Sequence, residues 1–117
     1  MSQHRKHRGY ATQRIVANYL AQHGFPYAES TGAGRQGSDV TGCPGIDWEI
    51  KARRGLVISE LMKQLSERQG HLLGVGVIRP DGMGEASIED WPAVLRLADL
   101  VELLRGNGYG EPNDEAK

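Results

Sequence analysis

The chain has 117 residues, 38% of them hydrophobic and 25% charged, with a formal net charge of −1. That length suits one domain with a real core and excludes a second catalytic domain or a long repeat array. No apolar run approaches the roughly 18–20 residues of a membrane span. The basic start His4-Arg5-Lys6-His7-Arg8 leads into no apolar signal region, and the lone Cys43 excludes an internal disulfide framework or a cysteine zinc site. The expectation is a soluble, cytoplasmic protein with no membrane partner.

A near-zero net charge argues against a nucleic-acid partner until it is read by position. Residues 1–58 hold eight basic and four acidic side chains, a balance of +4; residues 59–117 hold six and eleven, a balance of −5. An asymmetry of this kind points to a polyanion.

In chain order, residues 1–8 read as a flexible basic arm. Between Gly9 and His23, Ala11, Ile15, Val16, Tyr19 and Leu20 recur at helical spacing, and Gly24 and Pro26 end the helix. Phe25 to Glu29 suits a short edge strand, and Ser30 to Gly37 is too glycine-rich for an element. Ser38 to Thr41, the turn Gly42-Cys43-Pro44-Gly45 and Ile46 to Ala52 read as a β-hairpin. Its second strand alternates strictly, with Ile46, Trp48 and Ile50 on one face and Asp47, Glu49 and Lys51 on the other, which predicts a half-buried strand. A second helix opens at Ile58-Ser59-Glu60, turns Leu61, Met62 and Leu65 inward and ends near Gly70. Leu72 to Arg79 is a continuous apolar run suited to a buried strand. Glu85 to Ile88 is a candidate strand, and Asp90 caps a helix over Trp91 to Leu104. Residues 106–117 form a polar, disordered tail, so one domain covers 9–105. The order α-β-β-β-α-β-(β)-α implies an α/β class, with a mixed sheet flanked by helices.

The chemistry concentrates between Asp39 and Lys51. In a simple hairpin centred on Pro44, Asp39 and Glu49 fall opposite each other, with Cβ atoms about 4.5–5.5 Å apart. Two carboxylates that close repel unless a positive charge lies between them, and a hard cation such as Mg²⁺, with Mn²⁺ as its substitute, suits oxygen ligands. Lys51, two residues on, lies on the same face and can orient a water or neutralise charge growing on a phosphate. A solvated strand face of alternating charges remains the alternative. Ser30 and Arg35 in the glycine loop, Arg5, Lys6 and Arg8 in the arm, and Arg53 and Arg54 beyond the strand are candidate DNA contacts, since phosphate contacts need only basic or polar groups.

The segment Gly37-Ser38-Asp39-Val40, then Gly45-Ile46-Asp47-Trp48-Glu49-Ile50-Lys51, resembles the PD-(D/E)XK nuclease motif. The element order from about Arg8 to Arg79 is similar to that of the small Holliday-junction resolvases in that superfamily. The resemblance implies a restriction-endonuclease-like fold and a Mg²⁺-dependent endodeoxyribonuclease acting on four-way junctions as a homodimer. It implies Asp39 and Glu49 as metal ligands, the Ile50 carbonyl as a further donor, and Lys51 as the group assisting the nucleophilic water. Ser38 replaces the proline of the motif. Gln13 stands where such resolvases carry a helix glutamate, which makes it the fourth candidate catalytic residue and a weaker metal partner. The rival readings are another nuclease or nickase on this scaffold, a non-catalytic DNA-binding module, and an adaptor whose acidic half binds a protein.

Overall fold

A computed structural model describes residues 3–32, 37–52, 55, 58–68 and 70–112, with side chains from Gly9 onward. Helix α1 spans Gln3–Gln22, so the backbone is helical well before the expected start at Gly9. Two short strands follow, β1 (Glu29–Ser30) and β2 (Val40–Thr41). Then come β3 (Ile46–Lys51), α2 (Ile58–Arg68) and β4 (Leu73–Ile78). A 3₁₀ segment (Glu85–Asp90), β5 (Ala93–Val94) and α3 (Leu97–Gly106) complete the order. The class is the mixed α/β one the sequence predicts.

β3 and β4 pair in parallel, and β5 runs antiparallel to β4, giving the order β3-β4-β5; β1 and β2 form a separate antiparallel pair. A parallel register places paired residues on the same face of the sheet, and here Trp48 meets Val75 and Ile50 meets Val77. That face packs on α1, joining Val16, Ala17 and Leu20 to Trp48, Ile50, Val75 and Trp91 in the core. On the opposite face Asp47 meets Gly74 and Glu49 meets Gly76. The two glycines leave room beside the carboxylates for α2. A Cβ on Gly76 would lie 2.8 Å from Leu61 Cδ2 and 2.9 Å from Val94 Cγ2.

Several expectations change. β3 is buried on both faces rather than half-buried, because α2 covers its acidic side. β2 pairs with β1, not with β3 as the expected hairpin required. Residues 85–90 form a 3₁₀ segment, and the strand falls at Ala93–Val94, where it closes the sheet edge. The last helix therefore starts at Leu97, with Arg96 and not Asp90 at its N-cap. No helix among the described residues is long and apolar enough to cross a membrane.

Candidate metal and phosphodiester site

The outer edge of β3 is satisfied by side chains instead of a partner strand. The Trp48 N–H donates to Ser38 Oγ at 2.8 Å, and the Ile50 N–H donates to Asp39 Oδ2 at 2.7 Å. Between them the Asp39 N–H donates to the Trp48 carbonyl at 2.8 Å. Asp39 thus lies against Trp48, one position from the expected register, because two side-chain oxygens replace ladder acceptors. The hydroxyl of Ser38 also donates to the Val40 carbonyl at 2.7 Å. A proline there would supply no such bridge, so the departure from the motif has a structural use.

On the inner edge, the Gly45 carbonyl accepts from Leu73 N–H and the Lys51 carbonyl from Arg79 N–H, both at 2.8 Å. Because carbonyls alternate along a strand, that of Ile50 points the other way, to the edge where Asp39 lies. Asp39 therefore meets the Ile50 main chain at this edge, with the Glu49 charge near enough to act on it. Burial, followed by the nearby Glu49 charge, raises the Asp39 pKa from 3.8 to about 6, against the opposing pull of the Ile50 hydrogen bond, Arg68 and Lys51.

Glu49 is buried and held from two sides. Lys51 Nζ lies 2.8 Å from Glu49 Oε2, and Arg68 Nη1 lies 2.8 Å from Glu49 Oε1. Arg68 is chiefly engaged elsewhere: Nε and Nη2 donate to the two oxygens of Asp47, each at 3.0 Å, and Nη2 also reaches the Trp48 carbonyl at 3.3 Å. Burial works against the Arg68 charge, but its hydrogen bonds to Asp47 and the negative charges of Asp47 and Glu49 outweigh it and raise its pKa. Asp47, on the charged face of β3, is 2% exposed and forms half of this fork. Arg68 escaped the sequence reading. Its signal was the helical stripe: Leu61 and Leu65 face inward, and the next position on that stripe is Arg68.

The donor set suits a hard cation. Asp39, Glu49 and the Ile50 carbonyl offer oxygen only, the ligand type Mg²⁺ prefers. Glu49 Oε1 is buried with no aligned hydrogen bond, its contact with Arg68 being close but undirected. Among the described residues, no group of three or more His, Cys, Asp or Glu side chains could hold a metal, so the main-chain carbonyl is needed to complete the set.

Gln13, on α1, is half-buried, and its Oε1 has no hydrogen-bond partner among the described residues. Ser30 lines a cavity of about 230 Å³ with Arg14, Ala17, Asn18, Ala28 and Glu29. Arg35, Arg53 and Arg54, and the side chains of Arg5, Lys6 and Arg8, lie outside the described residues. The chain matches no family model, no curated protein and no solved structure.

Proposed function

We propose that the chain is a Mg²⁺-dependent DNA endonuclease of the PD-(D/E)XK type, most like a Holliday-junction resolvase. The observation carrying this reading is the meeting of the Asp39 carboxylate with the Ile50 main chain beside the Glu49–Lys51 pair. A bound divalent ion would supply Lewis acidity at the scissile phosphate and acidify an attacking water. Asp39 and Glu49 would hold the ion, and the Ile50 carbonyl would complete the protein's share of its ligands. The Lys51 ammonium, 2.8 Å from Glu49 Oε2, would offset charge growing on the phosphate. Arg14 and Ser30, which line one cavity, would offer a basic and a polar group to a DNA phosphate. Two copies, each with one site, would make the two cuts that resolve a four-way junction.

The test is cleavage of labelled four-way junction, flap, single-stranded and linear duplex DNA with Mg²⁺ or Mn²⁺. Cutting of the junction in preference to linear duplex is expected. All substrates left intact with both metals would overturn the enzyme. One observation favours a second reading, a DNA-binding module without catalysis: Glu49 is already neutralised by Lys51 and Arg68. That reading predicts junction binding unchanged by Asp39→Ala and no cleavage.

A further inference from the structure

The Asp47–Arg68 fork carries a consequence for cation affinity, which rests on the proposed metal site. Arg68 closes α2 onto β3, and its guanidinium makes two 3.0 Å bonds to Asp47 and a third to the Trp48 carbonyl. Those bonds fix the group whether or not Glu49 takes part. The remaining nitrogen, Nη1, stands 2.8 Å from Glu49 Oε1, an atom that has no aligned hydrogen bond. A permanent positive charge is thus anchored beside a carboxylate whose oxygen it does not properly bind.

We infer that Arg68 is a positioning residue that competes with the divalent cation for Glu49, and that Asp47 anchors it and limits the competition. Without a cation, Arg68 and Lys51 pair with Glu49 in a buried place, where a lone carboxylate would be costly. When the cation arrives, Glu49 can turn from Arg68 without leaving the guanidinium unpaired, because Asp47 still holds it. A cation held by Glu49 would nevertheless lie close to a fixed like charge, since Arg68 Nη1 stands 2.8 Å from Glu49 Oε1. At such distances charge–charge repulsion exceeds what is gained from holding one rotamer, so Arg68 weakens cation binding on balance. Asp47 has the opposite effect: it shares the guanidinium and adds negative charge one position along the same strand face.

A merely structural salt bridge would behave differently, since loss of either partner would loosen the same contact. The two halves of the fork should instead move affinity in opposite directions. The experiment titrates the full chain with Mn²⁺ alone near neutral pH and follows free Mn²⁺ by electron paramagnetic resonance, with thermal unfolding as a check on folding. Arg68→Gln should tighten Mn²⁺ binding by about tenfold, and Asp47→Asn should weaken it by about the same factor. Arg68→Gln leaves Asp47 buried without its partner and is the variant most at risk of unfolding. The double variant Asp47→Asn/Arg68→Gln removes both charges together, and because Arg68 is the one of the two that touches Glu49, it should still bind Mn²⁺ more tightly than wild type. Weaker binding in both single variants, or a double variant no tighter than wild type, would overturn this inference while leaving the metal site standing. A wild-type chain that binds no Mn²⁺ would overturn both.

Discussion

Asp39 has a pKa of about 6 in the folded chain because it is buried and lies near Glu49, and the Ile50 hydrogen bond only partly offsets this. Between its ordinary 3.8 and about 6, the folded chain keeps a proton that the unfolded chain gives up. The folded state then binds more protons, so this group lowers stability as pH rises through that window and adds no further change above it. Urea unfolding of wild type and Asp39→Asn at about pH 4.5 and about pH 7 checks the sign: the variant should lose less stability over that interval. An equal loss in both would place the titrating group elsewhere. A cation bound by Asp39 must displace that proton, so Mg²⁺ should raise the melting temperature more near pH 7 than near pH 5. Much of this residue's chemistry was legible as two carboxylates and a lysine in a glycine-bounded hairpin. Its bond to the Ile50 N–H was not, because it arises from a missing ladder partner that only the tertiary arrangement of β1 and β2 reveals.

The elements owe their placement to two glycines that the sequence marks only as punctuation. Gly42, with φ +83°, closes the turn after β2, and a Cβ there would run into the Tyr27 carbonyl. Gly42→Ala should cost about 2–4 kcal/mol, through both the left-handed backbone and the backbone clash. Gly76 lets α2 approach the acidic face of the sheet between Leu61 and Val94. Gly76→Ala should cost about 1–3 kcal/mol by overpacking and should push α2, and with it Arg68, away from Glu49. Denaturant midpoints measure both losses; a neutral Gly76→Ala would show that α2 does not depend on this close approach. Period-two alternation placed β3 and helical spacing placed α2, since both patterns are local. The 3₁₀ segment and the short β5 were read as strand and helix because an isolated pair such as Ala93–Val94 carries no period of its own and is fixed by pairing with Gly76 and Val77.

At the scale of the whole molecule, charge and apolar surface are both unevenly distributed. The +4 half contains every proposed metal donor, while the −5 half contributes Arg68 to the site and otherwise leads away into α3. Leu97, Leu100, Val101, Leu103 and Leu104 of that helix are exposed. The apolar strand β4 lies inside the sheet between β3 and β5, so the exposed apolar side chains of α3 offer the more suitable face for the proposed dimer. Light scattering should give the mass of two 12.8 kDa chains, and Leu100→Glu with Leu104→Glu should give one. A wild-type monomer at micromolar concentration would remove the paired-cut mechanism. The most direct test of the central claim separates catalysis from binding. Wild type, Asp39→Ala and Lys51→Ala are each shown to bind a labelled four-way junction without metal, and cleavage is then started with Mg²⁺. The account predicts near-equal binding and a loss of cleavage on the order of 10³-fold in each variant. Cleavage at the wild-type rate by Asp39→Ala would contradict it.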